Sequence, residues 1–537
     1  MASKNQKRIA YFCMELGIDE NLRIYAGGLG ILAGDILKTA YENSLPVIGI
    51  GILWKKGYTR QLIGDNNYPY DTYPDNEKIY QHLEDTNVKI CVKIKEDNIY
   101  CRVWKMKGAN HSTLYLLDAD LSENGNKKWI TERLYSGQDE ARIAQEIVLG
   151  IGGIRALRQL NIDINIYHFN EGHAVLAGTE LIREKMEKGL SFTDAWKQVK
   201  KNIVFSTHTP VKEGNESHNL ELLKDMGAFN GLNIDQMIQI GGTPFNMTVA
   251  GLRLAKIANS VAQLHGKTSR QMWNDVEGRA KIISITNGVN HKAWVDERII
   301  THWKSGKKLW ETHQQLKQEL IDFVVGRTGK QLNKDKILLG FARRAATYKR
   351  PDLIFRKPEI IEPYLQKNEI QIIFSGKAHP LDKTGKDVVA YIVSMSQKYP
   401  NSVIFLEDYN MKIGRLLTRG VDVWLNNPRK PLEASGTSGM KAAMNGVLNL
   451  SILDGWWPEA CRHGVNGWQF GDGYIGEGQD EHDLNALYRV LLEEILPCYY
   501  DDNKRWCKIM CNSIASTYDT FSATTMLHNY YDKLYND

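Results

Sequence analysis

The amino-acid sequence predicts an α/β protein made of two doubly wound halves, each a mainly parallel sheet covered by helices. Short runs of β-branched and apolar residues recur along the 537 residues, and each is followed by a turn residue and an amphipathic stretch. This alternation is typical of βαβ units. A polar, helix-patterned stretch at about 295–334 separates the runs into two groups. Because ligands of open α/β sheets bind beyond the carboxyl ends of the strands, we expect a site in a cleft that the two halves face.

The strand predictions follow from these runs. Between residues 76 and 117 the pattern changes to alternating segments such as VKICVKI and IYCRVWKM, which predicts antiparallel strands inserted into the first half. From about residue 483 onward, helical periodicity and many aromatic residues predict terminal helices. The expected parallel strands are 8–14, 45–53, 164–169, 202–207 and 281–286 in the first half, and 336–342, 370–376, 402–408, 421–426 and 446–453 in the second.

These patterns predict two Rossmann-like domains. The N-terminal domain is expected at 1–295, with a glycine-rich loop and the antiparallel insertion. The C-terminal domain is expected at 296–537 and ends in the terminal helices, the last of which returns to the N-terminal domain. A usual domain size of roughly 150 residues agrees with more than one unit.

The composition excludes several classes of protein. With 42% hydrophobic and 24% charged residues, the chain has the composition of a globular enzyme and not of a disordered, fibrous or membrane-embedded protein. A formal net charge of +5 over 537 residues is too small to indicate a nucleic-acid partner. Local clusters of positively charged residues are therefore better indicators of a binding site than the net charge of the chain.

The cysteines and the apolar runs indicate a cytoplasmic protein without a membrane partner. Seven cysteines without a CxxC pair favour a reducing compartment. Cys507 and Cys511 lie one helical turn apart, but because no histidine stands beside them we interpret them as two thiols on a terminal helix and predict no metal site. The apolar run before Glu15 is too short for a signal peptide, and the longest run, 45–54, is too short to span a bilayer.

A glycine-rich loop, YAGGLGILAGD, precedes a helical pattern that runs to about Asn43. Its glycines, Gly27, Gly28 and Gly30, would let backbone N–H groups approach an anion at the start of a helix. The letters also fit GxGxxA, a dinucleotide-binding pattern, but the loop lies a dozen residues beyond its strand instead of directly after it. A plain tight turn is the other alternative.

A cluster of four cations, Arg343, Arg344, Lys349 and Arg350, follows a predicted buried strand in the segment FARRAATYKR. At the carboxyl end of such a strand, these side chains would hold phosphate through charge-assisted hydrogen bonds. A solvated loop is the alternative interpretation, and the preceding strand favours the phosphate site.

The segment PLEASGTSGMKAAMNGVLNL offers hydroxyls and backbone N–H groups and then enters a short helix that carries Lys441. Desolvation lowers the pKa of a lysine amine, so a lysine between Met and Ala is a candidate for a Schiff base. An ordinary helix start with a surface lysine has the same pattern.

The run EASGTSGMKAAMN, residues 433–445, resembles the pyridoxal-phosphate attachment signature of the glycogen and α-glucan phosphorylases along its whole length. Further segments resemble that family in the same order: YAGGLG, HFNEGH at 168–173, STHTP at 206–210, TNG at 286–288, RAATYK at 344–349 and SGKAHP at 375–380. The resemblance therefore spans about residues 9–460.

The resemblance implies the two-domain GT-B glycosyltransferase architecture, pyridoxal phosphate as cofactor, and α-1,4-glucan with inorganic phosphate as substrates. The implied reaction is phosphorolysis of the non-reducing-end glucosyl unit to α-glucose 1-phosphate with retention of configuration. In that family the 5′-phosphate of the cofactor relays a proton, which suits a group whose second pKa is about 6. A homo-oligomer is compatible with the sequence.

The resemblance also assigns residues. Lys441 would carry the cofactor covalently, and Arg344 and Lys349 would bind the attacking phosphate. His208 and Asn287 would hold the 6-hydroxyl of the glucosyl unit. The implied catalytic residues are Lys349, Arg344, His208 and Glu433, the implied cofactor contacts are Lys441, Arg343, Thr437 and Gly28, and the implied substrate contacts are Gly27, Leu29, Asn170, Glu171, His173, Asn287, Tyr348, Ser435 and Gly436.

The sequence departs from the longer members of the family at several positions. Ala345 and Ala346 replace bulkier residues, and the segment EDYNMKIG around Asn410 lacks an arginine with which the longer enzymes contact phosphate. Arg343 or Lys412 could compensate for that arginine. The chain is also shorter, so control by nucleotides or phosphorylation is not carried over.

Three other functions remain open at this point. A nucleotide-sugar-dependent glucan synthase would share the architecture but would need no pyridoxal phosphate. A glycoside hydrolase would use Glu433 with Asp408 or Glu171 as its carboxylate pair. A glucan-binding protein would have kept the pocket and lost catalysis.

Overall fold

The computed structural model describes residues 6–108, 110–137, 139–305 and 308–536. The chain divides into two compact units. The first unit comprises the residues up to Tyr58, Tyr73–Thr286 and the residues from Met526 onward, and the second comprises Thr59–Thr72 and Asn287–Thr525. The domain ranges 1–295 and 296–537 stay a prediction, because a division by contacts does not show which segments fold independently.

The strands are numbered in chain order. They are β1 (Ile9–Phe12), β2 (Val47–Ile52), β3 (Arg60–Ile63), β4 (Pro69–Thr72), β5 (Leu83–Ile94), β6 (Asp97–Met106), β7 (Leu114–Asp118), β8 (Ile166–Asn170), β9 (Ile203–Thr207), β10 (Ser217–His218), β11 (Phe245–Asn246), β12 (Ile257–Ser260), β13 (Lys281–Ser284), β14 (Ile337–Ala342), β15 (Ile370–Ser375), β16 (Val403–Leu406), β17 (Val423–Asn426), β18 (Leu448–Ile452) and β19 (Trp468–Phe470).

The α-helices are numbered in the same way, and short 3₁₀ and π turns connect some of them. None of these helices is long and apolar enough to cross a membrane, in the part of the chain that the structure describes. They are α1 (Gly28–Glu42), α2 (Glu140–Ile147), α3 (Gly153–Gln159), α4 (Leu176–Met186), α5 (Phe192–Lys200), α6 (Leu220–Asp225), α7 (Ile234–Gly241), α8 (Met247–Leu254), α9 (Gln263–Met272), α10 (His291–Trp294), α11 (Glu297–Ser305), α12 (Leu309–Thr328), α13 (Pro358–Gln366), α14 (Lys383–Lys398), α15 (Met411–Gly420), α16 (Thr437–Met444), α17 (Trp457–Ala460), α18 (Gln479–Arg489), α19 (Leu496–Asp501), α20 (Asn503–Thr517) and α21 (Ala523–Tyr530).

The first unit contains a sheet in the strand order β13-β12-β9-β8-β1-β2-β7-β6-β5. The strands from β13 to β7 are parallel, and β6 and β5 extend the sheet as antiparallel strands. In the register of β8 with β9, Asn170 pairs with Ser206, so the carboxyl ends of these two strands lie side by side. The C-terminal residues belong to this unit, where the Tyr535 hydroxyl lies 2.8 Å from Nδ1 of His168.

The second unit contains a wholly parallel sheet in the order β16-β15-β14-β17-β18-β19. Its two faces contact different apolar clusters, because successive side chains of a strand point to opposite faces. Ile337, Leu339 and Phe341 of β14 belong to one cluster, and Leu338 and Ala342 belong to the other. Burial on both faces explains why this strand is a continuous apolar run in the sequence.

The α/β class and the expected strands are confirmed. Each of the ten predicted parallel strands overlaps a strand of the structure, and the insertion at 76–117 contains the antiparallel pair β5 and β6. The sequence did not predict β12, β19, the short β10–β11 pair or the β3–β4 hairpin. That hairpin belongs to the second unit although the chain on both sides of it belongs to the first.

Candidate active site

The glycine-rich loop of the first unit leads directly into α1, which begins at Gly28. The carboxylate of Glu15 accepts hydrogen bonds from the backbone N–H groups of Ala26 at 2.6 Å and Gly27 at 2.9 Å, and from the Tyr135 hydroxyl at 2.8 Å. A Cβ atom on Gly27 or Gly28 would meet no other atom within 4 Å, so the backbone lies open there. Because the first N–H groups of a helix lack partners within it, this loop can accept an anion.

Three predicted residues of the first unit meet where β8 and β9 end. Nε2 of His208 lies 2.6 Å from the side-chain oxygen of Asn170. The carboxylate of Glu171 accepts a hydrogen bond from the backbone N–H of His208 at 2.7 Å. Glu171 has a left-handed φ of 71°, a conformation that turns the chain sharply at the end of β8. The adjacent ends of two parallel strands therefore fix the position of His208.

Desolvation sets the charges of this group. Burial of the His208 ring, with neighbouring histidines, lowers its pKa to about 3, so the ring is neutral at pH 7 and offers hydrogen bonds instead of charge. Burial likewise lowers the pKa of His173 to about 4. Burial raises the pKa of Glu171 to about 7, although its hydrogen bonds from His208, Gly172 and Thr209 favour the ionised form.

A second polar cluster of the first unit contains Glu146, Glu216 and His218, whose ligand atoms lie within 4.8 Å of one another, as a metal site would require. These side chains already have protein partners. Arg142 donates to both carboxylate oxygens of Glu216 at 3.0 and 2.9 Å, and His218 lies 3.0 Å from Glu146. A cation would have to compete with the guanidinium of Arg142 for the carboxylate of Glu216. The expectation of no metal site stays a prediction.

In the second unit, two predicted cations meet one predicted carboxylate. Arg343 follows β14 directly, and its Nη2 lies 2.6 Å from Oε2 of Glu433. Nζ of Lys349 lies 2.5 Å from the same oxygen. Burial raises the pKa of Glu433, but the charges of Arg343 and Lys349 lower it to about 2. Arg343 also donates to Asn426 at the end of β17, the neighbour of β14, so this group lies at the carboxyl ends of the parallel strands.

Lys441 is buried on α16, and its ammonium lies 3.5 Å from the centroid of the Trp294 ring. The side chain of Asn445, one turn later, donates to the carbonyl oxygens of Lys441 at 2.8 Å and Trp294 at 3.1 Å. The alternative of a surface lysine at an ordinary helix start is therefore wrong for Lys441. The lysine amine instead has an aromatic surface beside it.

The other predicted residues of the second unit cap α16, contact Lys349 or carry buried polar atoms. Gly436 caps α16 with a φ of 86°, and Thr437 is the first residue of that helix. Oγ of Ser435 and Oδ1 of Asn287 are buried and have no hydrogen-bond partner. Such atoms are rare in native proteins, and a bound polar group would satisfy them. Tyr348 is half-buried, with its ring centroid 4.6 Å from Nζ of Lys349.

The four cations of FARRAATYKR separate in the structure. Arg343 and Lys349 are buried, and Arg344 is exposed. The expectation that Arg350 also points toward a phosphate site is wrong. Its guanidinium is fully buried and bonds to the carboxylates of Asp480 and Asp483.

The departure at Asn410 also has a structural explanation. The Asn410 side chain caps α15 by accepting a hydrogen bond from the N–H of Ile413 at 3.0 Å. Lys412 is exposed, and its ammonium lies 5.5 Å from the ring centroid of Phe323. Of the two cations proposed to compensate for the arginine, Arg343 is therefore the one beside the other site residues.

Sequence reasoning missed three residues that shape these groups: Glu15, Trp294 and Asp454. Asp454 accepts a hydrogen bond from the backbone N–H of Glu433 at 2.9 Å, and burial raises its pKa to about 7. The sequence contained a weak signal for Asp454, which directly follows a predicted buried strand. Glu15 had the same weak signal, because it directly follows the predicted strand 8–14, whereas Trp294 lies in a segment with no distinguishing pattern.

The fold and these groups define an α/β protein with anion-binding side chains at the ends of its parallel strands. The sequence profile of the carbohydrate phosphorylase family matches residues 297–462, which contain Arg343, Lys349, Glu433 and Lys441.

The chain is 37% identical to the maltodextrin phosphorylase of Thermococcus litoralis, over 99% of this chain and 71% of that protein. It is 34% identical to the glycogen phosphorylase of Aquifex aeolicus, over 99% and 86% of the two chains. An uncharacterised protein of Methanocaldococcus jannaschii is 36% identical over 98% of this chain and its own full length. The protein belongs to the carbohydrate phosphorylase family.

Proposed function

We propose that the protein is an α-1,4-glucan phosphorylase, which transfers the non-reducing-end glucosyl unit of glycogen, starch or maltodextrin to inorganic phosphate. The product is α-glucose 1-phosphate, formed with retention. The observation that carries the proposal is the buried group of Arg343, Lys349 and Glu433. Two cations that share one carboxylate at the strand ends can bind a phosphate dianion, and the relatives named maltodextrin and glycogen phosphorylase support this choice of reaction.

Pyridoxal phosphate is the proposed cofactor, and the residues present fit it. Lys441 offers a buried amine beside the Trp294 ring, which suits covalent attachment of a flat aromatic aldehyde. Thr437 and the first N–H groups of α16, together with Arg343, are donors suited to its phosphate. When bound, the cofactor supplies a phosphate that can give and take a proton near neutral pH.

The protein side chains would bind and orient the reactants. Lys349 and Arg344 would hold the attacking phosphate, whose negative charge stabilises the oxocarbenium character that develops at the anomeric carbon. Glu433 keeps Lys349 in place before phosphate arrives. In the first unit, the neutral ring of His208 and the amide of Asn170 would bind sugar hydroxyls, and the N–H of Gly28 would contact phosphate.

The structure disfavours a hydrolase in which Glu433 is the general acid; Glu171, whose pKa burial raises to about 7, stays the candidate acid of such an enzyme. A glycosidase needs one carboxyl group that is protonated near neutral pH, but the two cations hold the pKa of Glu433 at about 2. Asp408, its suggested partner, lies 2.9 Å from the ammonium of Lys377. A glucan synthase that uses a nucleotide sugar remains the second candidate, since it shares the fold class.

We further propose a cytoplasmic location. All seven cysteines are free thiols, which is typical of proteins from a reducing compartment.

The experiment that tests this function is an assay of glucose 1-phosphate release from glycogen, starch and maltodextrin, with and without phosphate. The purified protein should show a near-ultraviolet absorbance band that Lys441→Ala abolishes together with activity. The matched control is Lys412→Ala, which should keep both. A protein that lacks the band and makes glucan from ADP-glucose would overturn the proposal.

A further inference from the structure

Three arginine side chains converge on the carboxylate of Asp480, in the first turn of α18. Nη1 of Arg350 lies 2.9 Å from Oδ1, and Nη1 of Arg356 and Nη2 of Arg429 each lie 2.7 Å from Oδ2. Partial burial raises the pKa of Asp480, but hydrogen bonds from Arg429, Arg356 and Arg350 hold it well below its usual range. The carboxylate is therefore ionised at neutral pH and can neutralise its partners.

Two of these arginines lie in the segments that carry Lys349 and Glu433. Arg350 follows Lys349 directly, and Arg429 precedes Glu433 by four residues. One carboxylate on α18 thus joins the same two segments that the contact between Lys349 and Glu433 joins. A displacement of Arg350 would therefore move Lys349 through the backbone, and a displacement of Arg429 would move Glu433.

The segment after Lys349 is fixed at several further points. Arg350 has a left-handed φ of 48°, and its guanidinium donates to the carbonyl oxygens of Asn427 and Pro428, each at 2.9 Å. Its second carboxylate partner is Asp483, at 2.8 Å. The backbone N–H of Arg429 donates to the carbonyl oxygen of Tyr348 at 2.7 Å.

We propose that Asp480 is a positioning residue for phosphate binding, which holds Lys349 opposite Glu433 through Arg350 and Arg429. This inference rests on the proposed function, because it names the substrate phosphate as the ligand of Lys349. Asp480 itself does not touch the substrate. Without its negative charge, the three guanidinium groups repel one another, and the two segments lose their common anchor.

The test compares Asp480→Asn with Glu481→Gln in the holoenzyme. Glu481 is the next residue of the same helix turn and pairs only with Lys357 and Asn485 among the contacts described, so its variant removes the same charge without loosening the arginines. Titration calorimetry with inorganic phosphate gives the dissociation constant, and initial rates give KM for phosphate, KM for maltodextrin and kcat. A small displacement of a binding group costs about tenfold or more, so Asp480→Asn should weaken phosphate binding and raise its KM by that factor.

The cofactor absorbance band and the KM for maltodextrin distinguish a positioning effect on phosphate binding from a general loss of structure. Asp480→Asn should keep the cofactor absorbance band and a KM for maltodextrin within about twofold of wild type, and Glu481→Gln should leave every quantity within about twofold. If Asp480→Asn does not fold, the milder Arg429→Gln replaces it in the test, because the Arg429 side chain is 47% exposed. The phosphate dissociation constant of Arg429→Gln should then rise by the same factor. The inference is overturned if the folded variant binds phosphate like wild type, or if KM for maltodextrin rises equally. If wild type binds phosphate but releases no glucose 1-phosphate, only the proposed function is contradicted. Calorimetry would still measure the effect of Asp480 on phosphate binding.

Discussion

Nζ of Lys349 lies 2.5 Å from Oε2 of Glu433, the same oxygen that accepts a hydrogen bond from Arg343. The contact joins a short turn after β14 to the loop that precedes α16, and both partners are buried. A single buried carboxylate thus holds two cations ready for a phosphate.

Replacing Lys349 tests its role as a phosphate ligand. Lys349→Ala should lower kcat/KM for phosphate by about a hundredfold or more, because removing one charged donor from a transition-state site costs this much. The cofactor absorbance band should remain, since Lys349 has no contact with Lys441 among the contacts described. Steady-state kinetics check this, with the exposed Lys412→Ala as control. Activity within threefold of wild type would remove Lys349 from the phosphate site.

Replacing Glu433 tests the electrostatics of the same group. Glu433→Gln leaves Arg343 and Lys349 buried without a counter-charge, which should lower the free energy of unfolding by about 3–5 kcal/mol. Phosphate can then supply the missing charge, so it should raise the unfolding temperature of the variant more than that of wild type.

Thermal unfolding with and without phosphate measures both effects of Glu433→Gln. Glu362→Gln, which removes the half-buried partner of the exposed Lys398, is the control and should leave the unfolding temperature unchanged. Equal phosphate shifts in Glu433→Gln and wild type would contradict the prediction.

Asp454 should make stability depend on pH. Burial raises its pKa from 3.8 to about 7, so between these pH values the folded state keeps a proton that the unfolded state releases. The stabilisation from this proton is complete below about pH 4 and is lost as pH rises to about 7. Asn does not titrate, so Asp454→Asn should gain stability relative to wild type as pH rises, by up to about 1.4 kcal/mol per pH unit. Unfolding temperatures from pH 4 to 8 check this, and parallel curves would refute it.

Asn170 should affect the sugar and not the phosphate. Asn170→Ala removes the side-chain oxygen that lies 2.6 Å from Nε2 of His208, so the ring loses the partner that fixes its orientation. We expect KM for maltodextrin to rise about tenfold, with KM for phosphate and the absorbance band unchanged. Initial rates, measured while maltodextrin and phosphate are varied in turn, give the two KM values that test this prediction. An equal rise in KM for phosphate would show that the effect is not confined to the sugar.

The sequence predicted the parallel strands because each is a compact apolar run, and most of these runs, such as β14, are buried on both faces. It did not predict β12, whose sequence IANS ends in two polar residues. In the structure Asn259 accepts a hydrogen bond from Ser206 of the neighbouring strand, so a buried strand can be polar when its side chains are paired. The β3–β4 hairpin was missed for another reason: local periodicity does not indicate which unit a hairpin joins.

For the candidate site, the sequence identified residues but not their directions. Adjacent cations in RAATYKR gave no sign that Arg350 turns away from Lys349, because that depends on the left-handed φ of Arg350 and on the carboxylates of α18. Likewise, Trp294 and Lys441 are far apart in the chain, and their contact depends on the packing of α10 against α16.

The most direct test of the proposed reaction is phosphorus NMR of the holoenzyme with maltodextrin and inorganic phosphate. We expect the signal of inorganic phosphate to decline while that of α-glucose 1-phosphate grows, with no glucose released without phosphate and with conversion slowed about a hundredfold or more in Lys349→Ala. Free glucose formed in phosphate-free buffer, or a β-configured product, would contradict it.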